Sequence, residues 1–210
     1  MDLLLIRHAE PARIEALPGN GPADPPLTEE GLVKARRVGA WLAVEGVDHV
    51  VSSPLRRARE TAGPLGQRLG QEPEIVEGIG EFDRRDASYI PFEELPRDHV
   101  KFSAMVEGRW SDVEGWADPL SFREQVVTTI EDLADRFPGS RVAIFTHAGV
   151  INVYLGHVLG IARTLWFYPG YASISRIAAA RSGERGVVSV NETAHLQPER
   201  LETHLREVAE

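Results

Sequence analysis

Cysteine is absent from the 210-residue sequence. Thiol catalysis, disulfide bonds and thiolate metal ligands are therefore excluded together. Long apolar runs are also missing, and none approaches the roughly 20 residues that a membrane-spanning helix requires. The apolar run at residues 3–6 is too short for a signal peptide, and no basic segment precedes it. We therefore expect a soluble, cytoplasmic protein that does not associate with a membrane.

Basic side chains are in the minority. The sequence has 23 lysines and arginines against 32 aspartates and glutamates, which gives a formal net charge of -9. This balance argues against nucleic acid as a partner, because binding to a phosphate backbone requires a basic surface. It permits a small phosphorylated substrate, since a few arginines can be concentrated in one cleft. The length suits a single domain over residues 1–210, and the oligomeric state is not indicated.

Short apolar segments alternate with helical patterns along the chain. Six segments are predicted to be strands or extended: residues 3–6, 47–51, 74–79, 141–145, 172–179 and 187–190. Helices are predicted to begin with Thr28 as N-cap, with Ser53 as N-cap, and at Gly149. This order predicts an α/β fold, a three-layer α/β/α sandwich with a mostly parallel central sheet. The alternating segment 172–179 is expected to be an antiparallel edge strand, with which residues 187–190 could pair.

The segment at residues 82–119 fits no simple βα unit. It contains four large aromatic side chains, so we expect it to pack rather than to remain disordered. These are Phe92, Phe102, Trp110 and Trp116. We interpret the segment as an ordered insertion over the functional edge of the sheet.

Polar side chains follow the first and fourth predicted strands directly. Arg7 and His8 end the first, and His147 follows the fourth. Ligands of open α/β sheets bind outside the carboxyl ends of the strands, so these side chains could face one another. Arg57, in the first turn of the helix after the second strand, would add a guanidinium to a helix N-terminus, which favours anions. The pattern suggests an anion site, although each histidine alone could be an ordinary loop residue.

Four segments resemble the motifs of the histidine phosphatase superfamily, in its phosphoglycerate-mutase-like branch, and they occur in that family's order. The segments are LIRHAE at residues 5–10, LTEEG at 27–31, SPLRRARETA at 53–62 and THAGVI at 146–151. The similarity spans residues 3–190. In the first motif Ala9 occupies the place of the family's usual glycine. One such motif would be weak evidence, but four in register make a specific resemblance.

The resemblance implies a role for each matched residue. His8 would be the nucleophile that forms a phosphohistidine, and Arg7, Arg57 and His147 would bind the phosphoryl oxygens. The segment at residues 79–81 is similar to the family's Leu-x-Glu pattern, which assigns Glu81 as the proton donor. No metal and no cofactor are implied, because the arginines supply the electrostatic stabilisation.

Two nearby carboxylates, Asp83 and Asp86, are alternatives to Glu81 as the acid. Substrate specificity is expected to lie in the loop at residues 10–26 and in the insertion. Residues that could contact the leaving group, or else lie on the surface, are Arg84, Arg85, Tyr89 and Arg109. The sequence departs from the family at Ile14, where a phosphate-binding asparagine is frequent, and Asn20 is a possible substitute.

The expected activity is hydrolysis of a phosphomonoester. A phosphoglycerate mutase would use the same residues and return the phosphoryl group to substrate. Segment 82–119 does not resemble the corresponding stretch of such mutases, which favours hydrolysis. A protein that only binds a phosphorylated ligand is a third possibility, but such proteins usually lack one of the core residues, and all of them are present here.

Overall fold

A six-stranded sheet forms the central layer of the computed structural model, which describes residues 1–15 and 21–197. The strands are β1 Asp2–Arg7, β2 His49–Ser52, β3 Glu74–Ile75, β4 Arg141–Thr146, β5 Ile174–Ala179 and β6 Arg185–Glu192. Their order across the sheet is β3-β2-β4-β1-β5-β6. The first four of these pair in parallel, whereas β5 runs antiparallel to both β1 and β6. The predicted mostly parallel sheet is confirmed.

Helices cover both faces of this sheet. They are α1 Glu29–Ala43 and α2 Arg56–Leu69 on one face, and α4 Pro119–Arg136 and α5 Ala148–Leu159 on the other; α3 Val100–Glu107 lies in segment 82–119. Successive residues of β1 point to opposite faces, as a strand requires. Leu4 and Ile6 pack with α1 and α2, whereas Leu3 and Leu5 pack with α4 and α5. The result is the predicted three-layer sandwich with two apolar cores. No helix within the described ranges is long and apolar enough to cross a membrane.

The two predicted N-caps differ in outcome. Thr28 caps α1, and its Oγ1 accepts a hydrogen bond from the Gly31 amide at 3.0 Å. The cap predicted at Ser53 is wrong, because α2 begins at Arg56 and its N-cap is Leu55. The Ser53 amide donates to the Phe145 carbonyl at 2.9 Å, so its backbone continues the pairing of β2 with β4. Its hydroxyl is thereby left for another contact.

Three further elements differ from the sequence-based expectation. The third strand covers only Glu74–Ile75 and is followed by a 3₁₀ turn at Glu77–Ile79. The strand β5 is not at the edge, because β6, which contains residues 187–190, pairs with its outer side; that pairing was anticipated. The helix α4 was not predicted. Asp118 caps it by accepting from the Ser121 amide at 2.9 Å, and Pro119 occupies its first turn, where a missing amide hydrogen costs nothing.

Segment 82–119 is ordered and packed, as expected. Its ends are joined by a hydrogen bond from the Ala117 amide to the Phe82 carbonyl at 2.9 Å. Phe82 stacks on Trp110 with ring centroids 4.1 Å apart, and Trp116 meets the same ring edge-on at 5.0 Å. Asp86 receives hydrogen bonds from Lys101 at 2.6 Å and from the Trp116 indole at 3.0 Å. These contacts anchor the segment beside the carboxyl ends of the parallel strands.

Candidate active site

The carboxyl ends of β1 and β4 bring the two predicted histidines together. Arg7 and Thr146 are paired in the parallel register, so His8 and His147 leave the sheet side by side. The His8 amide donates to the Thr146 carbonyl at 2.8 Å, which fixes this first step out of the strand. The two imidazole centroids are 5.1 Å apart.

His8 is held in a single tautomer by its own backbone surroundings. Its Nδ1 lies 2.8 Å from the Ala9 carbonyl oxygen, which can only accept, so Nδ1 carries the proton. The Nε2 lone pair is then free to act as a nucleophile. Burial, followed by the charges of Arg57 and Arg7, holds the pKa of His8 well below its usual value. The ring therefore stays neutral at physiological pH.

Two buried guanidinium groups flank this imidazole, and aromatic rings cover both. Arg57, from the first turn of α2, is 1% exposed, and the Tyr89 ring centroid lies 4.6 Å from its Cζ. Arg7 lies 3.9 Å from the Tyr171 ring centroid and 5.0 Å from that of Tyr168. The Tyr168 hydroxyl also accepts from Arg7 Nη1 at 2.7 Å. Stacking thus orients both cations, and hydrogen bonds additionally fix that of Arg7.

Each guanidinium also has an acidic neighbour. The nearest Arg57 nitrogen is 3.6 Å from an Asp83 carboxylate oxygen, and that of Arg7 is 3.2 Å from Glu93. The Nε atoms of both arginines are nevertheless buried without a hydrogen-bond partner in the described part of the chain. Unpaired buried donors cost about 1–3 kcal/mol each. An acceptor bound between the arginines would relieve that cost.

His147 is completely buried and contacts Ser53, the residue that follows β2. Its Nε2 lies 2.7 Å from Ser53 Oγ, while Nδ1 finds no partner among the described residues. Burial, then the charges of Arg57 and of His8, hold the pKa of His147 well below its usual value. His147 does not itself line the cleft described below, in contrast to His8. It lies behind His8 as a second neutral imidazole.

Glu81 follows the 3₁₀ turn after β3 and points at the start of α5. Its Oε2 accepts from the Gly149 amide at 2.9 Å, and its Oε1 accepts from the Phe82 amide at 3.1 Å. Burial, and secondly the nearby Asp83 carboxylate, raise the pKa of Glu81 to about 7. A Cβ at Gly149 would lie 2.2 Å from Oε1, so any larger residue there would displace the Glu81 carboxyl group. A carboxyl group with this pKa can give and take a proton near neutral pH.

The two alternative acids are placed differently. Asp83 lines the same cleft, and burial raises the pKa of its carboxyl group, although the charge of Arg57 opposes this. Asp86 does not line the cleft and is engaged by Lys101 and Trp116 in the structural cluster described above. No group of three or more His, Asp or Glu side chains arranged to hold a metal ion occurs within residues 1–15 and 21–197.

One cleft with a volume of about 340 Å³ is lined by five of these polar side chains: Arg7, His8, Arg57, Glu81 and Asp83. Of the possible leaving-group contacts, only Tyr89 lines it. Arg84 bonds to the Glu77 carbonyl, Arg85 is exposed, and Arg109 pairs with two acidic neighbours. Asn20 lies outside the described residues. Ile14 donates its amide to the Tyr89 carbonyl at 2.9 Å, so it supports the cleft without reaching it.

Several residues that contact Arg7 or His147 were not found by sequence reasoning. Tyr168, Tyr171 and Glu93 all contact Arg7, and Ser53 contacts His147. The aromatic run at residues 166–168, which follows α5, was a signal that could have indicated part of this set.

The sequence model of the histidine phosphatase superfamily (branch 1) matches residues 3–193. The chain belongs to this family. A probable phosphoglycerate mutase GpmB from Photorhabdus laumondii is 28% identical over 166 residues, covering 77% of this chain and 76% of the relative. Phosphoglycerate mutase-like protein 4 from Arabidopsis thaliana is 26% identical over 156 residues, covering 72% and 68%.

Solved structures of this histidine phosphatase fold include phosphatases. A phosphoserine phosphatase variant from Entamoeba histolytica, in complex with phosphoserine, superposes with a TM-score of 0.73 at 25% identity. That match covers 93% of this chain and 98% of the other. A mycobacterial glucosyl-3-phosphoglycerate phosphatase in complex with VO3 has a TM-score of 0.69 at 21% identity, covering 91% and 99%, and is similar in fold.

Proposed function

We propose that this histidine phosphatase family member is a metal-independent phosphomonoester hydrolase that works through a phosphohistidine on His8. One observation carries the proposal. Two buried nitrogens without a partner in the described structure, Arg7 Nε and Arg57 Nε, belong to side chains that line the cleft beside the neutral His8 imidazole. A phosphoryl group supplies the oxygens that such donors lack.

The first step is transfer of the phosphoryl group to the enzyme. His8 Nε2 attacks phosphorus, the bond between phosphorus and the leaving oxygen breaks, and Glu81 gives that oxygen its proton. Arg7 and Arg57 balance the negative charge of the transition state, and the buried His147 ring packs beside that of His8, with centroids 5.1 Å apart. The arginines supply the electrostatic stabilisation that a divalent cation supplies in other phosphatases.

The second step is hydrolysis. Glu81, now a carboxylate, takes a proton from a water molecule whose oxygen attacks phosphorus. The bond between nitrogen and phosphorus breaks, inorganic phosphate leaves, and both Glu81 and His8 return to their starting protonation states. A pKa of about 7 suits both directions of this proton transfer, because neither state of the acid is strongly disfavoured.

The decisive experiment is hydrolysis of para-nitrophenyl phosphate in the presence of EDTA. We expect turnover by the wild type and none by His8→Ala, together with an acid-labile phosphoryl label on the wild type alone. His157→Ala is the matched control, because His157 is an exposed histidine on α5 that does not line the cleft. Undiminished activity of His8→Ala, or complete inhibition by EDTA, would contradict the proposal.

The names of the curated relatives support an alternative, phosphoglycerate mutase activity with the same residues. Incubation with 3-phosphoglycerate distinguishes the two. A hydrolase releases inorganic phosphate, whereas a mutase yields 2-phosphoglycerate at constant total ester phosphate. A phosphate-binding protein without turnover would give neither product and no label on His8.

A further inference from the structure

The lining of the cleft changes from charged to apolar side chains a short distance from His8. Beyond the phosphoryl-binding centre its walls are formed by apolar and aromatic side chains. They are Phe82, Ile90, Phe92, Met105, Val106, Leu165, Trp166, Phe167 and Tyr168. A site for a polyhydroxylated or acidic leaving group would need polar partners at these positions, because unpaired polar groups of the substrate lose their hydration there.

One wall is held rigidly by a single buried amide. Asn152, on α5, accepts through Oδ1 from the Trp166 amide at 2.8 Å and from the Phe167 amide at 3.0 Å. Its Nδ2 donates to the Phe167 carbonyl at 3.0 Å. The Trp166 indole donates to the Asn152 carbonyl, also at 3.0 Å. The aromatic wall is therefore preformed, and a ligand need not order it.

The opposite wall belongs to segment 82–119. The 3₁₀ turn Phe92–Glu94 presents Phe92 to the cleft, and Phe92 stacks on Phe102 with centroids 5.1 Å apart. Helix α3 adds Val106, which is 46% exposed at the mouth of the cleft. An apolar group entering from the solvent would thus meet carbon on both sides.

The same 3₁₀ turn places a negative charge beside the phosphoryl site. Glu93 Oε1 is 3.2 Å from Arg7 Nη2, and the Glu93 side chain is 31% exposed. A leaving group that carried its own carboxylate would be repelled by Glu93. Arg163 is the only other cation among the described residues that line the cleft, apart from Arg7 and Arg57, and it is exposed, so solvent screens its charge.

We infer that the cleft selects phosphomonoesters of uncharged, apolar alcohols and that Glu93 is a specificity-determining residue that rejects anionic leaving groups. This inference rests on the proposed hydrolase activity and adds the class of substrate. The apolar walls receive the organic group of the ester while the arginines hold its phosphoryl group.

The first test compares two primary alkyl esters whose leaving oxygens have similar chemistry. We expect kcat/KM for 2-phenylethyl phosphate to exceed that for 3-phosphoglycerate by at least ~10-fold, the discrimination that a few apolar carbons provide. Release of inorganic phosphate is the readout for both. Equal values, or a preference for 3-phosphoglycerate, would overturn the inference.

Two pairs of variants assign the preference to residues. Glu93→Gln is expected to lower the ratio of the two kcat/KM values roughly 5-fold by removing the repulsion. Glu94→Gln is its control, because Glu94 is the adjacent residue and pairs with Arg13 instead. Val106→Lys should lower the ratio as well, whereas Val100→Lys, at an exposed site on the same helix outside the cleft, should not.

The outcomes separate this inference from the proposed function. If the wild type shows no His8-dependent hydrolysis of any ester, para-nitrophenyl phosphate included, the proposed hydrolase activity is refuted. His8-dependent hydrolysis with no apolar preference would refute the substrate class alone. An unchanged ratio in Glu93→Gln, or an equal change in Glu94→Gln, would remove Glu93 from the explanation.

Discussion

Replacement of Glu81 by glutamine should slow hydrolysis in proportion to how poorly the substrate's alcohol leaves. Glutamine keeps the size of the side chain but cannot donate a proton to the leaving oxygen. For an alkyl ester we expect kcat/KM, which reports phosphorylation of His8, to fall by about 10²–10⁴-fold, the usual contribution of a general acid. For para-nitrophenyl phosphate, whose leaving group is stable as an anion, the loss should be roughly 10-fold or less.

The size of this effect depends on the raised pKa of Glu81. Burial and Asp83 move that pKa from 4.5 to about 7. At pH 6 such a carboxyl group is protonated in roughly nine molecules of ten, against roughly three in a hundred for an ordinary glutamate. The environment of Glu81 therefore makes the acid form about 30-fold more abundant at that pH.

The assay measures kcat/KM for 2-phenylethyl phosphate and para-nitrophenyl phosphate between pH 5 and pH 9, because kcat also includes hydrolysis of the phosphohistidine, in which Glu81 acts as the base. Wild-type kcat/KM for the alkyl ester should decline as pH rises through about 7, because Glu81 loses its proton there. Glu81→Gln should lack this decline. An equal loss with both esters, or a decline that persists in the variant, would refute the assignment of Glu81 as the acid.

The other predictions concern the groups that position this chemistry. Gly149→Ala should reduce kcat for alkyl esters at least ~10-fold, since its Cβ would lie 2.2 Å from Glu81 Oε1 and displace the acid; unchanged kinetics would contradict this. In Ser53→Ala, His147 loses its hydrogen-bond partner at 2.7 Å. We expect kcat/KM to fall about 10-fold and the free energy of unfolding, measured by urea denaturation, to fall by about 1 kcal/mol. The raised pKa of Glu81 also destabilises the folded protein increasingly from pH 4.5 to about 7 and fully above it. Wild-type stability relative to Glu81→Gln should therefore fall by up to roughly 3 kcal/mol between pH 4 and pH 8, and a constant difference would contradict the shift.

Residues that follow buried strands were predictable. Arg7, His8 and His147 are adjacent in sequence to apolar runs, and the ends of neighbouring parallel strands meet at one edge. Arg57 and Glu81 were located by motif; the charge of Arg57 acts on both histidines, and Glu81 accepts from the amide of Gly149, two residues after His147. For these residues, local sequence and the topology of the sheet together determine the position.

Contacts made by distant segments were not predictable. Glu93 reaches Arg7 across 86 residues, and Tyr168 does so across 161, with no periodic pattern that links them. The cap predicted at Ser53 was wrong for a related reason. Local propensity favoured a helix start, but pairing with Phe145 on another strand kept the backbone extended. Tertiary contacts decided these features.

The tyrosine rings over Arg7 and Arg57 have a consequence for how the protein responds to ionic strength. Mobile ions weaken attraction between exposed charges within about 10 Å at ordinary salt concentrations, but they act poorly on charges withdrawn from water. Both guanidinium groups are at most 4% exposed beneath their aromatic covers. We therefore expect binding of a phosphate ester by these two cations to depend only weakly on ionic strength.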